Sequence, residues 1–374
     1  MKTMNKLILG LILTTFMMVG CTNQDQEFDD FTTQAVYFPI QYPIRTIILG
    51  EDRIDNSIDK ERAFNIGVSI GGLYSNKSDR TIGFELAPSL FPDVTLAGDT
   101  LYAKYNAIDR KILILPTTHY TMVPDTSVVV PKGSNNGLIR VNLTDAFFAD
   151  PKSYDMNYVI PLKIKNASDN FSILTGKALA GLAVPARWYI PGDWQTGFLP
   201  KNYTLFAVKF INDWHGTYFQ RGVQKKDGVF YKLYHKQDIS SDQIARFETL
   251  GLKKATYNRM GENLTSATVS YKSLLTFGDP VNGVGDITVS AAPGTAYTVT
   301  GTGKYYQSST DMGLANGWLV DPLTNRVKGA MTVTLDFEVG GLAGATKHQF
   351  SDTLVFRTND VKYEEFTIVA KPKK

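Results

Sequence analysis

The chain has 374 residues, of which 43% are hydrophobic and 20% charged, with a net charge of +3. That length exceeds one ordinary sandwich and suits two domains of roughly 150 residues each, and the composition is that of a globular chain. The near-neutral charge, with no basic block beyond Lys373-Lys374, gives nucleic-acid binding no electrostatic support, and the single cysteine, Cys21, leaves no disulfide framework or thiolate metal site.

Residues 1–20 read as a signal peptide: Lys2 and Lys6 precede an apolar run over 7–19 that is too short and too early for a stable membrane span. The run ends in Met18-Val19-Gly20-Cys21, which resembles a bacterial lipobox with Met in place of the usual Leu. We therefore expect Cys21 to be acylated, with several acyl chains at ~0.8 kcal/mol per methylene giving stable anchoring. Residues 21–34 form a polar, acidic tether. Acidic residues just after the cysteine resemble the surface-export signal of Bacteroidetes lipoproteins, which implies an outer-membrane protein facing the exterior.

From residue 35 the pattern turns to period two. Ala35-Val36-Tyr37-Phe38 is stopped by Pro39, and Phe64, Ile66, Val68 and Ile70 share one phase, as do Ile82, Phe84 and Leu86. Strict alternation of this kind predicts half-buried antiparallel strands. Further strands are expected over 111–115, 127–130, 138–143 and 158–164. Turn signals separate them at Gly71-Gly72, Lys132-Gly133, Asn135-Asn136-Gly137 and Asp150-Pro151. Short strands with frequent turns predict an immunoglobulin-like β-sandwich over 35–180.

Several strings in this half stand in a recognisable order: Val36-Tyr37-Phe38-Pro39, Gly71-Gly72-Leu73-Tyr74-Ser75-Asn76, Asp145-Ala146-Phe147-Phe148-Ala149-Asp150-Pro151, Tyr158-Val159-Ile160-Pro161-Leu162 and Ile173-Leu174-Thr175-Gly176. Together they resemble the amino-terminal domain of a Bacteroidetes two-domain surface-lipoprotein family, a β-sandwich that also precedes some family-18 glycoside hydrolases. The resemblance implies an extracytoplasmic module of glycan utilisation and carries no catalytic residue.

Residues 181–203 form a linker rich in Pro and Gly, with Trp188 and Trp194 expected to pack in the seam between domains. The second domain is expected to span 204–374. Its organising element is a hairpin over 208–235 with Lys226-Asp227-Gly228 at the turn. The run over 237–251 fits either a capped helix or a strand, and we favour the strand. Further strands are expected over 268–275, 287–291, 296–300, 304–307, 330–339, 349–358 and 365–370. Eight or nine such strands with short loops predict an up-and-down, lipocalin-like β-barrel. Trp214-His215-Gly216-Thr217-Tyr218 and Asp352-Thr353-Leu354-Val355-Phe356 resemble the barrel-like domain that accompanies the same sandwich.

No catalytic motif stands in the chain. The histidines (His119, His215, His235, His348) lack zinc spacing, no Gly-x-Ser-x-Gly elbow occurs, and Gly301-Thr302-Gly303-Lys304 reads as a hairpin turn. Asp336 and Glu338 share a strand face at a separation near that of glycosidase carboxylates. Aromatic platforms are the better chemistry, because sugars stack C–H faces on rings while their hydroxyls bond nearby amides and acids. The candidates are Trp318, with Asp311 and Asn316 in the same loop, together with Trp194, Tyr305 and Tyr306. The expectation is a non-catalytic glycan-binding lipoprotein with no cofactor. Its partners would be an oligosaccharide, outer-membrane transport proteins and the membrane itself. The rival readings are a fimbria-like subunit, which would need a free terminal strand, and a glycoside hydrolase.

Overall fold

The computed structural model describes residues 29–90, 99–168, 171–183, 185–262, 267–307, 319–320, 327–328, 331–342 and 346–372. The alternation read from the sequence becomes burial. In Ala63–Gly71, Phe64, Ile66, Val68 and Ile70 point into a core, and Asn65 between them is exposed. This strand sits in a five-stranded sheet ordered Ser172–Ile173, Ala35–Tyr37, Ala63–Gly71, Asn136–Leu143, Tyr120–Val123. It faces a second sheet ordered Glu364–Glu365, Pro43–Ile48, Tyr203–Ile211, Tyr158–Ala167, Arg80–Leu86, Ser127–Val130, with Leu113–Ile114 alongside. Phe64, Ile82, Ile139, Leu162 and Phe210 fill the space between the two sheets.

The second sheet is covered on its other face as well. A third sheet of Thr367–Pro372, Asp99–Tyr105 and Ile108–Lys111 lies beyond it. Leu101, Ala103 and Phe366 pack there against Val159, Leu205 and Ala207. Burial on both faces explains why Tyr158 to Leu162 shows no alternation.

Two strands expected in the second domain belong here instead. Tyr203–Ile211, which was to open the barrel at residue 204, pairs antiparallel with Tyr158–Ala167 and parallel with Pro43–Ile48. The run expected over 365–370 returns to the sandwich as Thr367–Pro372, pairing with Asp99–Tyr105. An apolar run specifies that a strand is buried, and the partner is chosen by contacts distant in sequence.

The second domain is a closed barrel of eight antiparallel strands: Gly216–Lys226, Gln243–Gly251, Lys254–Glu262, Thr268–Phe277, Val284–Ala291, Thr298–Tyr306, Thr332–Gly340 and His348–Thr358. The last pairs with the first, and Val229–Tyr234 adds to the outer half of Gly216–Lys226. The hairpin between those two strands turns at Asp227 and Gly228, with φ of 48° and 82°, the left-handed pair that an Asp-Gly step favours. The region over 237–251 is a short 3-10 turn followed by the strand Gln243–Gly251.

Thr298–Tyr306 is one strand, where the sequence reading placed a break at Gly301 to Gly303. A side chain at Gly301 would run into Phe337, and one at Gly303 into Leu335. The glycines give these large residues room on the adjacent strand.

At the junction of the domains, the Asn212 side-chain amide donates to the carbonyls of Gly251 and Lys254, each at 2.9 Å. The Asn359 amide reaches the carbonyl of Glu51 at 3.4 Å. Trp214 stacks on Phe277 with ring centroids 4.0 Å apart and fills the sandwich-facing end of the barrel.

Candidate functional site

The outer mouth of the barrel, where Gly216–Lys226 ends and His348–Thr358 begins, gathers rings and polar groups in layers. Alternation places Tyr257 and Arg259 of one strand, and Phe350, Asp352 and Leu354 of another, toward the interior. Arg259 and Asp352 have side chains wholly shielded from solvent, with Nε to Oδ2 at 2.8 Å. The Tyr257 hydroxyl donates to the same oxygen at 2.9 Å. The guanidinium lies between the rings of Tyr234 and Phe350, at 4.3 and 4.9 Å. With its amide oxygen turned inward, Gln220 accepts from the guanidinium as well. Burial pushes the Asp352 carboxyl upward, against the opposing pull of Arg259 and Tyr257. Its Oδ1 and the Oγ of Ser273 are buried and have no hydrogen-bond partner among the described residues.

Above this layer sits Gln224, fully buried. Its amide nitrogen donates to the Glu262 carbonyl at 2.8 Å, and its oxygen accepts from the Glu262 N–H at 3.1 Å. The side chain thus does for Glu262 what a neighbouring strand would do. Val229–Tyr234 meets Lys254–Glu262 through side chains: Lys232 pairs with the Glu262 carboxylate, and the Tyr231 hydroxyl donates to it at 3.2 Å. These two partners hold the Glu262 carboxyl below its ordinary range. Tyr234 donates to the Gln224 oxygen at 2.7 Å.

Tyr271 approaches Tyr297 at 6.1 Å and His348 at 5.5 Å between ring centroids. Burial lowers the His348 pKa and favours the neutral ring, whose Nδ1 lies 2.8 Å from the Gln224 amide nitrogen. On the rim, Lys226 lies 3.2 Å from the centre of the Tyr231 ring, and Phe230 is 62% exposed. Phenol rings interleaved with a carboxylate, an ammonium and an amide suit stacking and hydroxyl bonding. Among the described residues, no three His, Cys, Asp or Glu side chains gather to hold a metal.

The sequence candidates fall elsewhere. Trp318, Asp311, Asn316 and Cys21 lie outside the described residues. Tyr305 is corrected from platform to core. It is 2% exposed, its ring contacts Trp214 at 5.1 Å and Phe277 at 5.9 Å, and its hydroxyl donates to the Gly278 carbonyl at 2.8 Å. Alternation gives Tyr305 the inner phase and leaves Tyr306 half-buried on the outer one, at the sandwich-facing end. Trp194 packs its ring over Gly176 and donates its indole N–H to the Arg187 carbonyl at 3.0 Å, inside the linker itself. Trp188 joins Tyr42 and Tyr203 on the sandwich.

His215 and His235 do not meet: the Nδ1 of His215 accepts from the Thr249 N–H at 3.1 Å, and His235 sits beside Arg221. Asp336 is exposed on the outer barrel wall, and Glu338 is held by Lys347 and Gln349. Sequence reasoning passed over Arg259, Asp352 and the tyrosines Tyr231, Tyr234, Tyr271 and Tyr297. A signal was available for the ion pair, since Asp352 stands in phase with Phe350 and Leu354, where an apolar residue is expected.

These features define a two-domain, all-β protein with a sandwich carrying a barrel. A family model described as a domain of unknown function (DUF5627) matches residues 213–360, and a model of an N-terminal domain matches residues 30–170. A crystal structure of a Bacteroides ovatus protein of unknown function is 30% identical, covering 92% of this chain and 100% of that one, with a TM-score of 0.76. The chain belongs to the same Bacteroidetes two-domain family as that protein. A second Bacteroides ovatus structure of unknown function is 14% identical over 90% of this chain and 99% of that one, with a TM-score of 0.40. No curated protein matches the chain.

Proposed function

We propose that this chain is a lipid-anchored protein of the outer-membrane surface that binds a glycan without cleaving it and hands it to partner transport proteins. The observation that supports this reading best is the barrel mouth, where the half-buried rings of Tyr231 and Tyr297 accompany Glu262 and Lys232, with Tyr234, Tyr271 and Gln224 buried behind them. A pyranose would lay its C–H face on a phenol ring and bond its hydroxyls to the carboxylate and ammonium. The sandwich then serves as a spacer between tether and mouth. The fimbria-like alternative needs an unpaired terminal strand, whereas Thr367–Pro372 is already paired within its own chain.

The test is an array of neutral and acidic glycans probed with the chain from Asp29 onward. At least one oligosaccharide should bind, and Tyr231→Ala should weaken it about five- to tenfold, equivalent to ~1 kcal/mol for one stacked ring. Trp318→Ala, at a position outside the described residues, is the comparison variant. A folded protein that binds no glycan on the array removes this reading.

A further inference from the structure

We propose that the end of the sandwich opposite the barrel is a membrane-seating face, in which Phe31 and Tyr74 enter the boundary between headgroups and acyl chains. The proposal rests on acylation of Cys21, as put forward above. Phe31 and Tyr74 are 76% and 56% exposed, whereas Phe38, Phe64 and Phe84 of the same domain are buried. The two are tied together: the Phe31 N–H donates to the Gly72 carbonyl at 3.0 Å, and the Tyr74 N–H donates to the Asp30 carboxylate at 2.7 Å. Single exposed apolar side chains are ordinary. Two exposed rings on backbone segments joined in this way place apolar surface at one end of the domain.

Their position in the fold supplies the occupant. Gly71, with Gly72 and Tyr74 just beyond it, stands at one end of the strand that begins at Ala63. The barrel joins at the other end, where Lys60 pairs with Glu51 and Asn359 reaches the Glu51 carbonyl. The rings therefore sit where the chain enters the sandwich, and the barrel mouth points away. Phe31 follows Cys21 by ten residues, a span of at most about 35 Å when fully extended. An anchor at Cys21 keeps this end of the domain within that distance of the bilayer.

Lys77 and Lys132 are exposed in the loops around the rings, which the Asn76 amide joins by donating to the Pro131 carbonyl at 2.9 Å. Aromatic rings at the interface with lysines reaching toward headgroups are the side chains a bilayer boundary favours. Two rings alone bind weakly. Acylation makes their contact intramolecular, at an effective concentration on the order of millimolar, so a weak contact becomes populated.

The experiment places the full-length acylated chain in vesicles of phosphatidylethanolamine and phosphatidylglycerol with brominated acyl chains. Phe31→Trp, Tyr74→Trp and, at the barrel mouth, Phe230→Trp are each compared with the parent, with circular dichroism confirming the fold. The added indoles at 31 and 74 should be quenched and blue-shifted, and the one at 230 should not. Quenching at 230 as well would mean that the molecule lies flat, and an unquenched indole at 31 would mean that no seat forms; either result overturns the proposal. Intact mass of the mature chain separates the premises. An acylated chain with indole 31 unquenched loses only the seat, whereas an unacylated chain loses the anchor and the seat together.

Discussion

Arg259 and Asp352 occupy positions that alternation reserves for apolar side chains, and the interior of the barrel accommodates them by pairing them. An ion pair without solvent gains little net stability, because desolvation offsets most of the attraction. Removing one member is different, since it strands the other charge. Asp352→Ala should therefore cost about 3–5 kcal/mol in denaturant unfolding, whereas Arg259→Met combined with Asp352→Leu should recover most of that loss. If the double variant is as unstable as the single one, the pair is more than an electrostatic compensation.

His215 offers a second prediction at this scale. Burial first, then the nearby positive charges of Arg246 and Lys209, push its pKa down to about 4 from 6.5. Protonation would also break the bond that Nδ1 accepts from Thr249. Between those two values the unfolded chain binds more protons than the folded one, so stability falls as pH drops from 6.5 toward 4. The loss is at most about 3 kcal/mol. Unfolding midpoints at pH 7 and pH 4.5 should show the loss, and His215→Gln should flatten this part of the profile.

Among the elements, the strand Thr298–Tyr306 shows how barrel walls fit together. Its glycines face inward, and their missing side chains are replaced by Phe337 and Leu335 from the adjacent strand. Glycine ordinarily weakens a strand through its conformational freedom, so alanine would stabilise an open position. Here Gly301→Ala should destabilise the barrel by about 1–3 kcal/mol through overpacking against Phe337, seen as a lowered thermal midpoint. A raised midpoint would show that the neighbouring strand can move aside. At the mouth, Gln224 fills a different gap: its amide supplies the two hydrogen bonds that a strand beside Glu262 would have made.

In the whole molecule, the two domains are interlocked rather than strung in series. The chain leaves the sandwich after Ile211, builds the barrel, and returns to place Thr367–Pro372 on Asp99–Tyr105. Glu364 is clasped by Lys209 at 2.8 Å and Tyr105 at 2.6 Å as the chain crosses back. Truncation after Thr358 should therefore harm the first domain, although the residues removed are the last in the chain. Leu101 and Ala103 would lose Phe366 and the strand covering them. Limited proteolysis followed by mass spectrometry should find new cuts near residues 99–111, with residues 216–358 still protected. Cuts confined to the barrel would contradict this.

The sequence by itself determined the all-β class, the Asp227-Gly228 turn, the phase of strands such as Ala63–Gly71, and the resemblance that led to the family. Each is written locally: alternation over one strand, φ preferences over two residues, short strings in fixed order. Only the tertiary structure decided that Tyr203–Ile211 joins the sandwich, that the last strand comes back to it, that Tyr305 faces in, and that four tyrosines separated along the chain share one mouth. The reason is physical. Period two tells which residues share a face, but the neighbour across a sheet and the volume a side chain may occupy are set by strands far away in sequence.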